Sequence, residues 1–163
     1  MVGGEPFAAF YARQRRPLIA LAYAVSGSRQ AAEDLAQDAL EAGFRDWERI
    51  RRLDEPAAWV RRILLNRATS GYRRRLAELR AVTRLRANRA VAFPEVTGEA
   101  DRIWAEVRRL PRRQVQVIAL RYVDELTLAE VGEVLGCSKD TVATHLRRAR
   151  ETLSRRLRLE EEA

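Results

Sequence analysis

The chain has 163 residues, room for one medium or two small domains, with 47% hydrophobic and 33% charged residues and a net charge of +8. That balance excludes a disordered or fibrous chain, and no apolar run nears the ~18 residues of a membrane span. A single cysteine, Cys137, and a single histidine, His145, exclude an internal disulfide and a structural zinc site. Nothing at the N-terminus reads as a signal peptide, so the expected compartment is the cytoplasm. Lys139 is the sole lysine among 31 basic residues, and the excess positive charge calls for a polyanionic partner.

Apolar residues recur at helical spacing through most of the chain and no strand alternation appears, which predicts an all-α fold. The first helix is expected over Pro6–Ser26. The second is expected over Arg29–Arg45, within SRQAAEDLAQDALEAGF. There Leu35, Ala39 and Ala42 form one stripe, with Leu40 and Phe44 on a neighbouring side. Asp34, Gln37, Asp38 and Glu41 gather on the remaining side. An acidic face in a basic chain does not suit nucleic acid. A basic helix of a partner protein fits it, and so does plain solvation; the residues alone leave both open.

The next helix is expected over Pro56–Leu79, within EPAAWVRRILLNRATSGYRRR. Val60, Leu64, Leu65, Ala68 and Tyr72 define its core face. Opposite lie Trp59, Arg62, Ile63, Asn66, Thr69, Ser70 and Arg73. An aromatic, an amide, hydroxyls and guanidinium groups on one side suit the unstacked bases of a single strand. The competing reading is a core Trp59 with solvated arginines.

Helical spacing is lost over Ala87–Ala100 (ANRAVAFPEVTGEA), which contains Pro94 and Gly98 and reads as a linker. Two helical modules result, 7–80 and 101–159, joined by residues 81–100. Residues 1–75 carry 14 arginines against 9 acids, whereas residues 101–163 carry 13 basic residues against 11. Most of the positive excess therefore sits in the first module.

In the second module, helices are expected over Asp101–Arg109, Arg112–Val123, Thr127–Leu135 and Lys139–Leu157, and the Glu-rich tail should fray. Leu128, Val131, Val134 and Leu135 stripe the third of these, and Val142, Leu146, Ala149 and Leu153 stripe the fourth. Gly136 suits the left-handed residue that ends one helix, and Ser138 can cap the next. Two helices joined by so short a turn form a helix-turn-helix, whose second helix enters the DNA major groove. Ser138, Lys139, Asp140, Thr141 and Thr144 at its start are the candidates for base edges. Arg147, Arg148 and His145 are the candidates for phosphates. A helical hairpin with a solvated polar face is the alternative; the turn residues and net charge favour DNA.

In order along the chain, AEDLAQDAL, AWVRRILLNRATSGYRRR, LPRRQVQVIALRYVDELTLAEVGEVLGCS and TVATHLRRARETL resemble the second and fourth conserved regions of bacterial RNA polymerase sigma factors. The sigma-70 members with only these regions and a linker are the extracytoplasmic-function type. FAAFYARQRRPLIALAYAVSGS and DEPAAWVRR resemble its actinobacterial members. The resemblance implies that Asp34, Gln37, Asp38 and Glu41 dock on the clamp helices of the largest subunit of core RNA polymerase, with the flap as a second contact. It implies that Trp59, Arg62, Asn66, Thr69 and Arg73, with Ile50 in the preceding loop, recognise and open the −10 element of promoter DNA. The C-terminal helix then reads the −35 element. An anti-sigma factor is implied as a further partner, with no cofactor and no membrane insertion. The alternative function is a conventional helix-turn-helix regulator, which needs neither the acidic helix nor the Trp-Asn-Arg helix. Enzyme chemistry is disfavoured: His145 and Cys137 have no base or orienting group placed beside them in sequence, and no Gly-rich phosphate loop occurs.

Overall fold

Two short turns decide how the first helices meet. In the computed structural model, which describes residues 4–69 and 98–162, α1 (Phe7–Ser26) stops at Gly27, whose φ of 69° is left-handed. Gly27 N–H returns to the Tyr23 carbonyl at 2.8 Å. Ser28 then caps α2 (Arg29–Arg45) by accepting from Ala31 N–H. A stop and a start two residues apart fold α2 back along α1, and this pair packs more extensively than any other among the described residues.

After α2 come α3 (Trp47–Ile50) and α4 (Pro56–Thr69). The second module holds α5 (Gly98–Arg108), α6 (Arg112–Tyr122), α7 (Leu128–Leu135) and α8 (Lys139–Glu161). The described residues contain these eight helices and no strand, so the all-α expectation holds. Phe10, Leu21, Leu35, Leu40, Leu64 and Leu65 fill the core of the first module; Val107, Leu120, Val131 and Val142 fill that of the second. All belong to one continuous apolar cluster, and each fully buried side chain of this size contributes about 1.5–3 kcal/mol.

Four sequence expectations change. Helix α3 was not anticipated, because four residues are too few to show a period. Its last residue, Ile50, is fully buried, which removes it from the DNA-facing set: it anchors the loop from beneath. Helix α5 begins at Gly98, inside the expected linker, with Glu99 and Asp101 in its first turn, where acids complement the helix dipole. Helix α8 runs past its expected end at Leu157 to Glu161, into the tail expected to fray after Leu159, and Arg102 of α5 pairs with Glu160 at 3.2 Å. The expected helical stretch from 70 to 79 and the linker residues 80–97 lie outside the described residues.

Gly132 is a requirement that spacing did not reveal. A Cβ at this buried position in α7 would stand 2.6 Å from the Cys137 carbonyl oxygen. Cys137 N–H bonds to the Gly132 carbonyl at 3.0 Å, so the turn closes directly over this glycine. Gly132→Ala is expected to destabilise the fold by about 1–3 kcal/mol, the usual cost of overpacking. Denaturant unfolding checks it: an unchanged midpoint would mean that the turn has room to move away from the added methyl.

Candidate nucleic-acid and partner interface

The recognition unit is set by local chemistry. Thr127 opens α7 with a reciprocal cap: its hydroxyl accepts from Glu130 N–H, and the Glu130 carboxylate accepts from Thr127 N–H at 2.7 Å. That second bond holds the Glu130 carboxyl below its ordinary range. Gly136, at φ 71°, ends α7, and Ser138 accepts from Thr141 N–H at 3.1 Å to start α8. Val142, Leu146 and Ala149 turn inward. Lys139, Asp140 and Thr141 stand exposed at the helix start, with Thr144 and His145 half-buried behind them. The Thr144 hydroxyl donates to the Asp140 carbonyl, and Ser138 and Thr141 share a hydroxyl contact of 2.9 Å. Arg147 and Arg148 are exposed about 12 Å further along the axis, Arg147 pairing with Glu151 at 3.2 Å. Among these residues Lys139, Asp140, Thr141, Arg147 and Arg148 are open to solvent, whereas Thr144 and His145 are only partly so.

On α4, Val60, Leu64, Leu65 and Ala68 are buried as expected. Trp59 is half-buried against the core, and the Arg49 guanidinium lies 5.7 Å from its ring centre. Arg62 and Asn66 are exposed on the outer face but engaged by the second module. Arg62 donates to the Val134 carbonyl at 2.7 Å and the Glu133 carbonyl at 2.8 Å, and Arg112 donates to Asn66 Oδ1 at 3.1 Å. Nothing in the local sequence signalled Arg112 as a partner, since 46 residues separate it from Asn66. Thr69 ends the described part of α4, and Arg73 lies outside the described residues.

The acidic face of α2 is smaller than expected. Gln37 and Glu41 are exposed and bonded to each other, and the Tyr11 hydroxyl donates to Gln37 at 3.3 Å. Asp34 is half-buried and accepts from Gln30. Asp38 is only 8% exposed, so it corrects the four-residue surface to three. Phe44 joins that surface: it is 64% exposed, with its ring 5.1 Å from that of Phe7. Its position one turn beyond Glu41, off the main apolar stripe, was the available signal.

Residues 10–78 match the family model described as Sigma-70 region 2, and residues 100–153 match Sigma-70, region 4. The chain belongs to the sigma-70 family. Among curated relatives it is similar to the ECF RNA polymerase sigma factor SigW of Bacillus subtilis (strain 168), 28% identical over 152 residues that span 85% of this chain and 81% of SigW. It is an extracytoplasmic-function sigma factor, and as such directs promoter-specific initiation of transcription. Its fold resembles the sigma factor RpoE solved in complex with the anti-sigma factor NepR from Bartonella quintana. That match has a TM-score of 0.70 and 23% identity, covering 93% of this chain and 96% of RpoE. It also resembles CnrH in complex with the cytosolic domain of CnrY, with a TM-score of 0.66 and 25% identity, covering 94% and 88% of the two chains.

In this sigma factor the region 2 match spans most of α1 and all of α2 to α4, and the region 4 match spans α5 to α8 as far as Leu153. Region 4 carries one more feature outside the recognition unit. Ile103, Trp104, Val107, Ile118, Tyr122 and Leu153 line an apolar groove of about 340 Å³, and Arg150 closes one side by donating to the Tyr122 hydroxyl. No helix among the described residues is long and apolar enough to cross a membrane.

Proposed function

We propose that this sigma factor reads the −35 element with the exposed start of α8 and the −10 element with the outer face of α4. Core RNA polymerase holds it from two sides. The clamp helices of the largest subunit take the surface of Asp34, Gln37, Glu41 and Phe44, and the flap takes the apolar groove of region 4. The protein works in the cytoplasm as a non-enzymatic initiation factor without a cofactor, and an anti-sigma factor is a further partner, as CnrY is found with CnrH. The observation that carries the reading is the layout of α8. Lys139, Asp140 and Thr141 stand where a groove-entering helix meets base edges, with Arg147 and Arg148 set back for phosphates.

Transcription in vitro from a library of genomic promoter fragments, with core polymerase and with or without this protein, tests it. Initiation from a defined subset that depends on the protein is the expected result. Lys139→Ala should shift which −35 sequences are used, by about 1–3 kcal/mol for each base interaction removed. Arg148→Ala should lower the use of all of them and flatten the salt dependence. Transcription indifferent to the protein overturns the proposal. If both substitutions act alike on every promoter, α8 does not read bases.

A further inference from the structure

We propose that the crevice between α4 and the α6–α7 face is a binding site for a single phosphoryl group, supplied as free phosphate or as the terminal phosphate of a nucleotide.

Arg62, Leu65 and Asn66 of α4 form one wall of a cavity of about 150 Å³, and Arg113, Leu135 and Gly136 form the other. At ~30 Å³ for each water molecule, that volume has room for about five small heavy atoms, the size of a phosphorus with its oxygens. The crevice is narrow, since a Cβ built on Gly136 would stand 3.7 Å from Arg62 Nη2. It admits a small group and not a polymer strand.

Charge decides which small group fits. Arginines nearby are paired with carboxylates: Arg61 with Asp124 at 2.8 Å, and Arg109 with Glu106 at 2.7 Å. The ion pairs among the described residues leave out Arg62, Arg112 and Arg113. These three bond only to oxygens without formal charge. Arg62 holds the Val134 and Glu133 carbonyls, and Arg112 holds Asn66 Oδ1. Arg113 donates to Gln116 Oε1 at 3.2 Å and to the Leu135 carbonyl at 3.4 Å. The end of α7 brings about half a negative charge to the cavity. Against it stand the full charges of Arg62 and Arg113 in the walls, with Arg112 beside Asn66. The balance is strongly positive.

Donors remain to be used. A guanidinium offers five N–H groups. Among the described residues Arg62 commits Nε and Nη2, leaving Nη1, and Arg113 commits Nη1, leaving Nε and Nη2. The Asn66 amide nitrogen donates to none of the described residues, because only its oxygen is engaged. The donors come from opposite walls. A carboxylate presents two oxygens in one plane and satisfies a single fork, whereas a phosphoryl group spreads its oxygens in three dimensions and carries more charge. Phosphate therefore suits the crevice better than a carboxylate does.

The two walls belong to different modules, so a bound phosphate stabilises the arrangement it bridges, by mass action. Phosphate and a −10 strand would exclude each other at Arg62 and Asn66. That consequence rests on the −10 role proposed above; the site itself does not.

The test titrates the full chain, without polymerase or DNA, so its outcome is independent of the −10 role. Inorganic phosphate and adenosine diphosphate are added separately, with chloride at equal ionic strength as the control. Calorimetry reads affinity and thermal unfolding reads stabilisation. Saturable binding of one phosphate per chain is expected, with an unfolding midpoint that rises above the chloride control. Arg113→Gln keeps an amide donor but removes a charge, and should weaken binding about tenfold, the size of one charge-assisted hydrogen bond lost. Asn66→Asp keeps the oxygen that Arg112 holds, sets a carboxylate in the cavity wall, and should abolish binding. Circular dichroism checks both variants; Asn66 is exposed, so its isosteric replacement carries the test if Arg113→Gln loses helicity. Tighter binding of the diphosphate than of phosphate assigns the nucleotide as the source, and the reverse order assigns free phosphate; either supports the site. Absence of binding overturns it. So does binding that both substitutions leave unchanged, as diffuse attraction to a chain of net charge +8 would give.

Discussion

Replacing Asn66 with alanine will leave the affinity for core polymerase and for −35 duplex near wild type, yet reduce open-complex formation on an intact promoter by about tenfold or more. Drawing a base out of the stack costs a few kcal/mol, and the receiving surface has to offset that cost with contacts made only after extrusion. Asn66 offers a donor and an acceptor on one rigid amide, exposed on α4 once Arg112 has let go of its carbonyl. Removing one or two hydrogen bonds to a base amounts to about 1–3 kcal/mol, which is five- to more than a hundredfold in occupancy. The measurement belongs in the holoenzyme, because the same substitution also removes a contact between the two regions. A promoter pre-melted across its −10 element should recover part of the activity, since unpairing is then already done, but the missing base interactions keep recovery incomplete. Permanganate footprinting on both templates reads this out. Opening at the wild-type level on intact duplex removes Asn66 from the −10 role.

Reversing two acids of α2, the half-buried Asp34 and the exposed Glu41, should produce the second large effect. Asp34→Arg together with Glu41→Arg is expected to weaken core-polymerase binding by about 1–3 kcal/mol for each ionic interaction abolished, with helicity unchanged. Asp38 is best left in place. At 8% exposure a reversal there forces a cation into the interior, and the resulting defect would report on folding rather than docking. Phe44, 64% exposed beside these acids, supplies apolar area to the same surface, so Phe44→Ala should weaken binding without altering its salt dependence. Titration of labelled core polymerase at two salt concentrations separates the charge from the apolar contribution. Core affinity that survives the double reversal rules out this face as the docking surface.

The amino-acid sequence alone determined whatever is decided within a few residues along the chain. The all-α class follows from apolar spacing. The helix-turn-helix follows from Gly136, which without a Cβ takes φ 71° at no steric cost, from the Ser138 cap, and from the inward stripe of Val142, Leu146 and Ala149. Tertiary structure alone decided the features set by what lies opposite. Ile50 and Asp38 occupy positions that one-dimensional spacing assigns to loop and polar face, but each is enclosed by neighbouring elements. Gly132 matters because Cys137 folds back on it, five residues away through a reversed turn. The hold of Arg62 on α7 joins residues more than seventy positions apart. Helical period reports which face is apolar, because that face must leave water; it does not report which partner covers a charged face, because a guanidinium bonds equally well to a carbonyl, a carboxylate or a phosphate.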